Sequence, residues 1–280
     1  MKKMLVVQTD FTYKEGAVAA MYGVIKSVDP DIEIITATHE IPQYDTWSAS
    51  YRLYQYIDFW PKGTIFISVV DPGVGTDRRA CVAKTRNGYY IVTPDNGSLT
   101  HADHYFGIEE VRQIDETINR LHREDNGAVS IFHGRDLFGY CAARLASGII
   151  SYEEVGPVYD ISEIVRHDIK EAEIFEDRIE GMFEINDPNF GNLWTNILLS
   201  DFLKKHKMGD LVHTAIYRDE EKVFDDVLPY YDSFGKAPKH SVMIYNNEIN
   251  KMGLAEVMGN LCEDYDLGYG EAYKVVFYDE

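Results

Sequence analysis

Three polar segments carry residue types that chemistry uses. Val69 to Arg79 runs from a β-branched stretch into Asp71, then Gly73 and Gly75, then the cations Arg78 and Arg79. Glycine lets backbone approach a ligand closely. Arg78 fills the third glycine position of a dinucleotide fingerprint, and no Lys-Ser/Thr pair marks a P-loop, so a functional loop and a plain charged turn both fit. His133-Gly134-Arg135-Asp136 offers a titratable imidazole with charged neighbours to orient it, although a lone histidine is more often structural. Asp187 to Asn196 packs a carboxylate, amides and two aromatics into ten residues, which suits recognition of a flat heterocycle as well as it suits a turn with one core tryptophan. His101, Asp103 and His104 lack the further ligands a metal needs, so a solvated loop is expected there and no metal site.

Alternating elements must position these groups. Leu5 to Val7 reads as a strand ending in Gln8-Thr9-Asp10, and Val18, Met21, Tyr22, Ile25 and Val28 form a helical stripe. Ile32–Ile35 and Thr64–Val70 read as further strands, with a helix over Trp47–Ile57 between them. This order predicts an α/β fold in which a mainly parallel sheet is flanked by helices. Ligand groups in such sheets sit just beyond the strand carboxyl ends, where Asp10, His39 and Asp71 fall. Strands around Val82 and Tyr89 are joined by Arg86-Asn87-Gly88, whose Asn-Gly favours a tight hairpin turn with positive φ angles. Phe138, Cys141, Ala142, Leu145 and Ile149 repeat at helical spacing, placing His133 to Asp136 at a helix start with Asp136 as cap. From about Glu171 strand-like segments take over at 179–185, 211–217, 242–245 and 273–278. The expected organisation is an N-terminal α/β domain over 1–170 and a smaller β-rich domain over 171–280.

Composition narrows the partners. Hydrophobic residues make up 45% and charged residues 26%, the balance of a globular chain that affords a core. The 27 Lys and Arg against 47 Asp and Glu leave a net charge of −20 with no basic stripe, which disfavours nucleic acid. Cys81, Cys141 and Cys262 are odd in number and far apart, as expected of reduced thiols in a cytoplasmic protein. No stretch of 18 apolar residues or export signal is read, so neither membrane nor secretion is expected.

Thr9-Asp10-Phe11, His39-Glu40-Ile41-Pro42, Val69 to Arg79, Pro94-Asp95-Asn96-Gly97, Phe132 to Asp136 and Phe190-Gly191-Asn192 with Thr195-Asn196 resemble, in order, the S-adenosylmethionine (SAM) hydrolase family. It is also called the SAM hydroxide adenosyltransferase family and is related to fluorinase and chlorinase. The resemblance implies an N-terminal α/β domain, a C-terminal β-barrel-like domain and a homotrimer with sites at subunit interfaces. It implies water or hydroxide attack on the ribose 5′ carbon, releasing adenosine and L-methionine, with SAM as substrate and no cofactor. Carried over, the nucleophile triad falls on Asp71, Arg78 and His133. The ribose carboxylate falls on Asp10, the methionine carboxylate on Asp187, and the heterocycle contacts on Phe190 and Asn192, with Trp194 beside them.

The chain departs from the family at Thr12, Glu15 and Gly139-Tyr140, and the spacing from Asp187 to Phe190 is closer to the halogenases. A halide-using enzyme and a non-catalytic nucleoside or SAM binder are therefore the alternatives. The first would make a 5′-halogenated adenosine; the second would release no methionine. Val74 offers a halide no hydroxyl, which counts against the first.

Overall fold

A computed structural model describes residues 4–122 and 131–279. The chain divides between His167 and Asp168 into two compact units.

The first unit holds strands β1 (Met4–Thr9), β2 (Glu33–Thr38), β3 (Ile65–Val69), β4 (Ala80–Thr85), β5 (Tyr90–Pro94) and β6 (Ile108–Gln113). They form one sheet in the order β2-β1-β3-β5-β4-β6. The pairings of β1 with β2, β1 with β3 and β3 with β5 are parallel; β4 runs antiparallel to β5 and β6. The sheet is therefore mixed, because the short β4–β5 connection permits only a hairpin. In that connection only Gly88 takes a positive φ, at 92°, so Asn87 does not make the expected tight-turn pair.

Helices α1 (Ala17–Val28), α2 (Thr46–Ile57), α3 (Thr100–Phe106), α4 (Glu116–Asn119) and α5 (Tyr140–Ala146) complete the unit. The alternation of β1 explains its placement. Leu5 and Val7 join Met21, Ile25, Phe138 and Cys141 in one core, while Val6 joins Leu53, Ile57 and Phe66 in a second. A strand buried on both faces reads as a continuous apolar run, as β1 does. Where polarity enters, at Gln8, the buried amide donates to Ala49 O (2.7 Å) and Ser68 Oγ (2.8 Å).

Two expectations fail here. His101 lies on α3 and is fully buried, hydrogen-bonded to Ser50 and packed against Trp47 and Tyr51, rather than on a solvated loop. Asp136 caps no helix: it sits inside a π-helical turn, Gly134–Gly139, that opens α5, with His133 at the cap position.

The second unit is antiparallel: β7 (Glu173–Ile174), β8 (Arg178–Asn186), β9 (Leu193–Leu198), β10 (Leu211–Arg218), β11 (Glu221–Pro229), β12 (Val242–Asn246), β13 (Lys251–Glu256) and β14 (Tyr273–Tyr278), with short helices α6 (Leu199–Phe202) and α7 (Leu261–Asp264). The order is β11-β10-β14-β8-β9-β13-β12, with β7 on β8, and a bridge between Tyr230 and Ile244 draws the two edge strands together. The result is a nearly closed barrel around Phe183, Ile197, Phe202, Ile216, Leu254 and Phe277.

Candidate active site

The carboxyl end of β3 delivers Asp71, and the loop after it folds back so that Arg78 returns onto it. Val74 N–H bonds Asp71 O (3.2 Å), Thr76 Oγ1 bonds Gly73 O (2.6 Å), and Gly75 takes φ 79°, a conformation glycine adopts freely. Arg78 Nε then donates to Asp71 Oδ1 (2.9 Å) and Nη2 to Oδ2 (2.5 Å), a two-point pair with both side chains nearly buried. The same Nη2 lies 2.9 Å from His133 Nδ1, and the guanidinium sits 5.3 Å over the Phe138 ring. Arg78 thus bridges residues that are widely separated in the sequence.

His133 is aimed by Arg78. Its neighbours Arg135 and Asp136 instead form a two-point ion pair with each other (2.6 and 2.8 Å). Gly134 leaves room for an aromatic wall, since a Cβ there would lie 2.8 Å from Phe11 Cζ. Burial, and after it the charges of Arg120 and Arg78, push the His133 pKa below the ordinary histidine value, against opposing pulls from Glu116 and Asp71.

Asp71 and His133 line a cavity of about 290 Å³ together with Asp10, Phe11, Tyr44 and Phe132. Asp10 Oδ2 accepts the Tyr44 N–H (3.0 Å). Burial raises the Asp10 pKa, the Tyr44 bond opposes the rise and the charge of Asp71 adds to it. His39, the third strand-end residue, stands behind this wall: Nδ1 pairs with Thr9 Oγ1 (2.8 Å) and Nε2 with Tyr22 OH (2.8 Å). Asn96, from the Pro94-Asp95-Asn96-Gly97 motif and given no role by the sequence, clamps the strand behind Asp71 by donating from Nδ2 to Val70 O (2.9 Å). Among the described residues, no group of three His, Cys, Asp or Glu side chains is arranged to hold a metal.

Asp187, Phe190, Asn192 and Trp194 lie in the second unit around one turn between β8 and β9. Asp187 N–H bonds Asn192 O and Gly191 N–H bonds Asp187 O, both at 2.7 Å. Phe190 projects outward with 64% of its surface exposed, while Trp194 is a buried strand residue whose Nε1–H donates to Tyr245 OH (2.7 Å). Tyr245 was not expected here. Burial raises its phenol pKa; the Trp194 bond and an Asn192 bond lower it, and the Asp187 charge raises it, so these three residues converge on it. At Gly191, φ is 68° and a Cβ would meet the Asn260 amide, which joins this turn to the start of α7.

The profile of the SAM hydroxide adenosyltransferase N-terminal domain matches residues 5–156, and that of the C-terminal domain matches residues 183–274. The chain belongs to the SAM hydroxide adenosyltransferase family. It is accordingly an enzyme. The (R)-S-adenosyl-L-methionine hydrolase of Methanocaldococcus jannaschii is 26% identical, over 98% of this chain and 96% of that one. The hydrolase of the same name from Thermus thermophilus is 29% identical over 90% of each. A fluorinase from Actinopolyspora mzabensis is 24% identical over 98% of this chain and 97% of its own. The crystal structure of an uncharacterized conserved protein from Thermotoga maritima superposes with a TM-score of 0.86 at 29% identity, covering 98% of this chain and all of that one. Among the described residues no helix is long and apolar enough to cross a membrane.

Proposed function

We propose that this enzyme hydrolyses SAM at the ribose 5′ carbon to adenosine and L-methionine. The observation that carries the reading is Arg78, held between Asp71 and His133 at a cavity also lined by Asp10, in a chain related along nearly its whole length to SAM hydrolases.

A sulfonium leaves as a neutral thioether, so the leaving group needs no acid, and the enzyme's task is to prepare water. Ionising bulk water fully at neutral pH costs roughly 12 kcal/mol, more than one arginine supplies. Holding water and sulfonium carbon in line contributes roughly 7 to 11 kcal/mol, which makes the anchors as important as the triad. Asp10 is the proposed ribose anchor and Asp187 the methionine anchor, with Phe190 and Asn192 meeting the heterocycle and the buried Trp194 beside them holding Tyr245. The oxygen bonds to C5′ as the C5′–S bond breaks with its electron pair going to sulfur, and one proton of the water ends in solvent. The substitution balances with SAM and water alone.

The family resemblance further supports a homotrimer with its sites at subunit interfaces, for which a small cavity near the lower end of the ligand-site range and an exposed Phe190 are suited. The three unpaired cysteines fit a reducing cytoplasm, and the net charge of −20 argues against nucleic acid as partner. The test is product identity. Purified protein incubated with SAM, with and without added chloride, should release adenosine and methionine one to one in both. A 5′-halogenated adenosine would favour the halogenase reading, and unconsumed SAM would sink the proposal.

A further inference from the structure

A guanidinium is protonated throughout the pH range of a folded protein and has no lone pair to offer, so a bond from arginine to an imidazole nitrogen fixes which ring nitrogen is bare. Arg78 Nη2 lies 2.9 Å from His133 Nδ1. Nδ1 therefore carries the lone pair, and in the neutral ring the proton sits on Nε2. The ring lines the cavity with Asp71.

We propose that, in the hydrolysis put forward above and resting on that reading, His133 is a hydrogen-bond donor to the attacking water through Nε2–H, and that the proton lost by the water goes to Asp71. Arg78 accepts no proton. His133 accepts one only by losing the Arg78 bond, because an imidazolium turns a second N–H against a guanidinium N–H. Asp71 retains acceptor capacity, since a carboxylate offers about four lone-pair directions and Arg78 occupies only part of them. As the C5′–O bond forms and the C5′–S pair goes to sulfur, the water proton passes to an Asp71 oxygen, which later returns it to solvent. The charged groups acting on the ring are Arg120, Arg78, Glu116 and Asp71, and with burial their sum favours the neutral form. Acid must therefore open the triad: as pH falls through the lowered ring pKa, the Arg78 bond is lost and the rate drops.

Two measurements test this on the full chain. In 15N-histidine-labelled protein, with His133 assigned by its disappearance in His133→Gln, NMR at neutral pH should show Nε2 protonated and Nδ1 bare; the opposite tautomer or an imidazolium would overturn the proposal. In kinetics, His133→Gln keeps an N–H donor that does not titrate, and should retain the rate within about tenfold and lose the His133 part of the acid-side fall in kcat. His133→Ala should lose about a hundredfold or more. A folded Gln variant as slow as the Ala variant would also overturn it. The NMR result does not require turnover, so a protein that leaves SAM untouched defeats the hydrolase reading while the tautomer is still measured.

Discussion

Arg78 is at once a charge, a planar fork and a piece of packing. Its Nε and Nη2 meet both oxygens of Asp71, the same Nη2 reaches His133, and its face covers Phe138. Lysine carries the charge without the fork, so Arg78→Lys should behave much more like Arg78→Ala than like wild type. Both should lower kcat by about a hundredfold or more while the SAM Kd from calorimetry moves only a few-fold. Unchanged turnover in either variant would refute the assignment. The types Asp71, Arg78 and His133 were legible in the sequence because they follow a strand end, a glycine loop and a helix start. Their meeting was read only through the family resemblance, because nothing local states that a loop and a distant helix start converge. Tyr245 was illegible for a different reason: a tyrosine in an apolar strand reads as core, and only its bond from Trp194 marks it out. Asp136 was misread because aspartate favours caps, whereas the π-helical turn carries it inside, where Arg135 pairs with it.

Among the elements, the ends of β1 and β2 and the middle of α1 are tied by one buried histidine. His39 bonds Thr9 at the end of β1 and Tyr22 on α1, and Tyr22 in turn bonds Thr36 on β2 (2.5 Å). Burial lowers the His39 pKa to about 4, from an ordinary value of 6.5. The unfolded chain therefore binds a proton as pH falls below about 6.5, and the folded protein resists until about 4. Stability should decline across that window by roughly 2 to 3 kcal/mol from this group, with no contribution above it. Urea unfolding between pH 7 and 4 should show the decline, and His39→Gln should flatten it; an unaltered pH slope in the variant would contradict the account. Strands β1 and β3 were readable because β-branched runs buried on two faces have few alternatives. Strand β11 was not, since Glu221-Lys222 and Asp225-Asp226 give it the texture of a charged loop, and only pairing with β10 organises it.

At the scale of the whole molecule, the α/β unit followed by an antiparallel near-barrel emerged from the change in texture near residue 170, whereas β4 and β6 made the first sheet mixed because hairpin geometry overrode the parallel pattern. Assembly belongs to this scale as well. If the protein is the proposed homotrimer, light scattering should give three times the mass of one chain, and an active monomer would contradict it. The chemistry itself is read most directly from the oxygen atom. Turnover of SAM in water enriched in oxygen-18, followed by mass spectrometry of the adenosine, should place the label in the 5′ hydroxyl in one step with methionine release. Adenosine free of label, or a 5′-halogenated nucleoside in its place, would contradict water as the nucleophile.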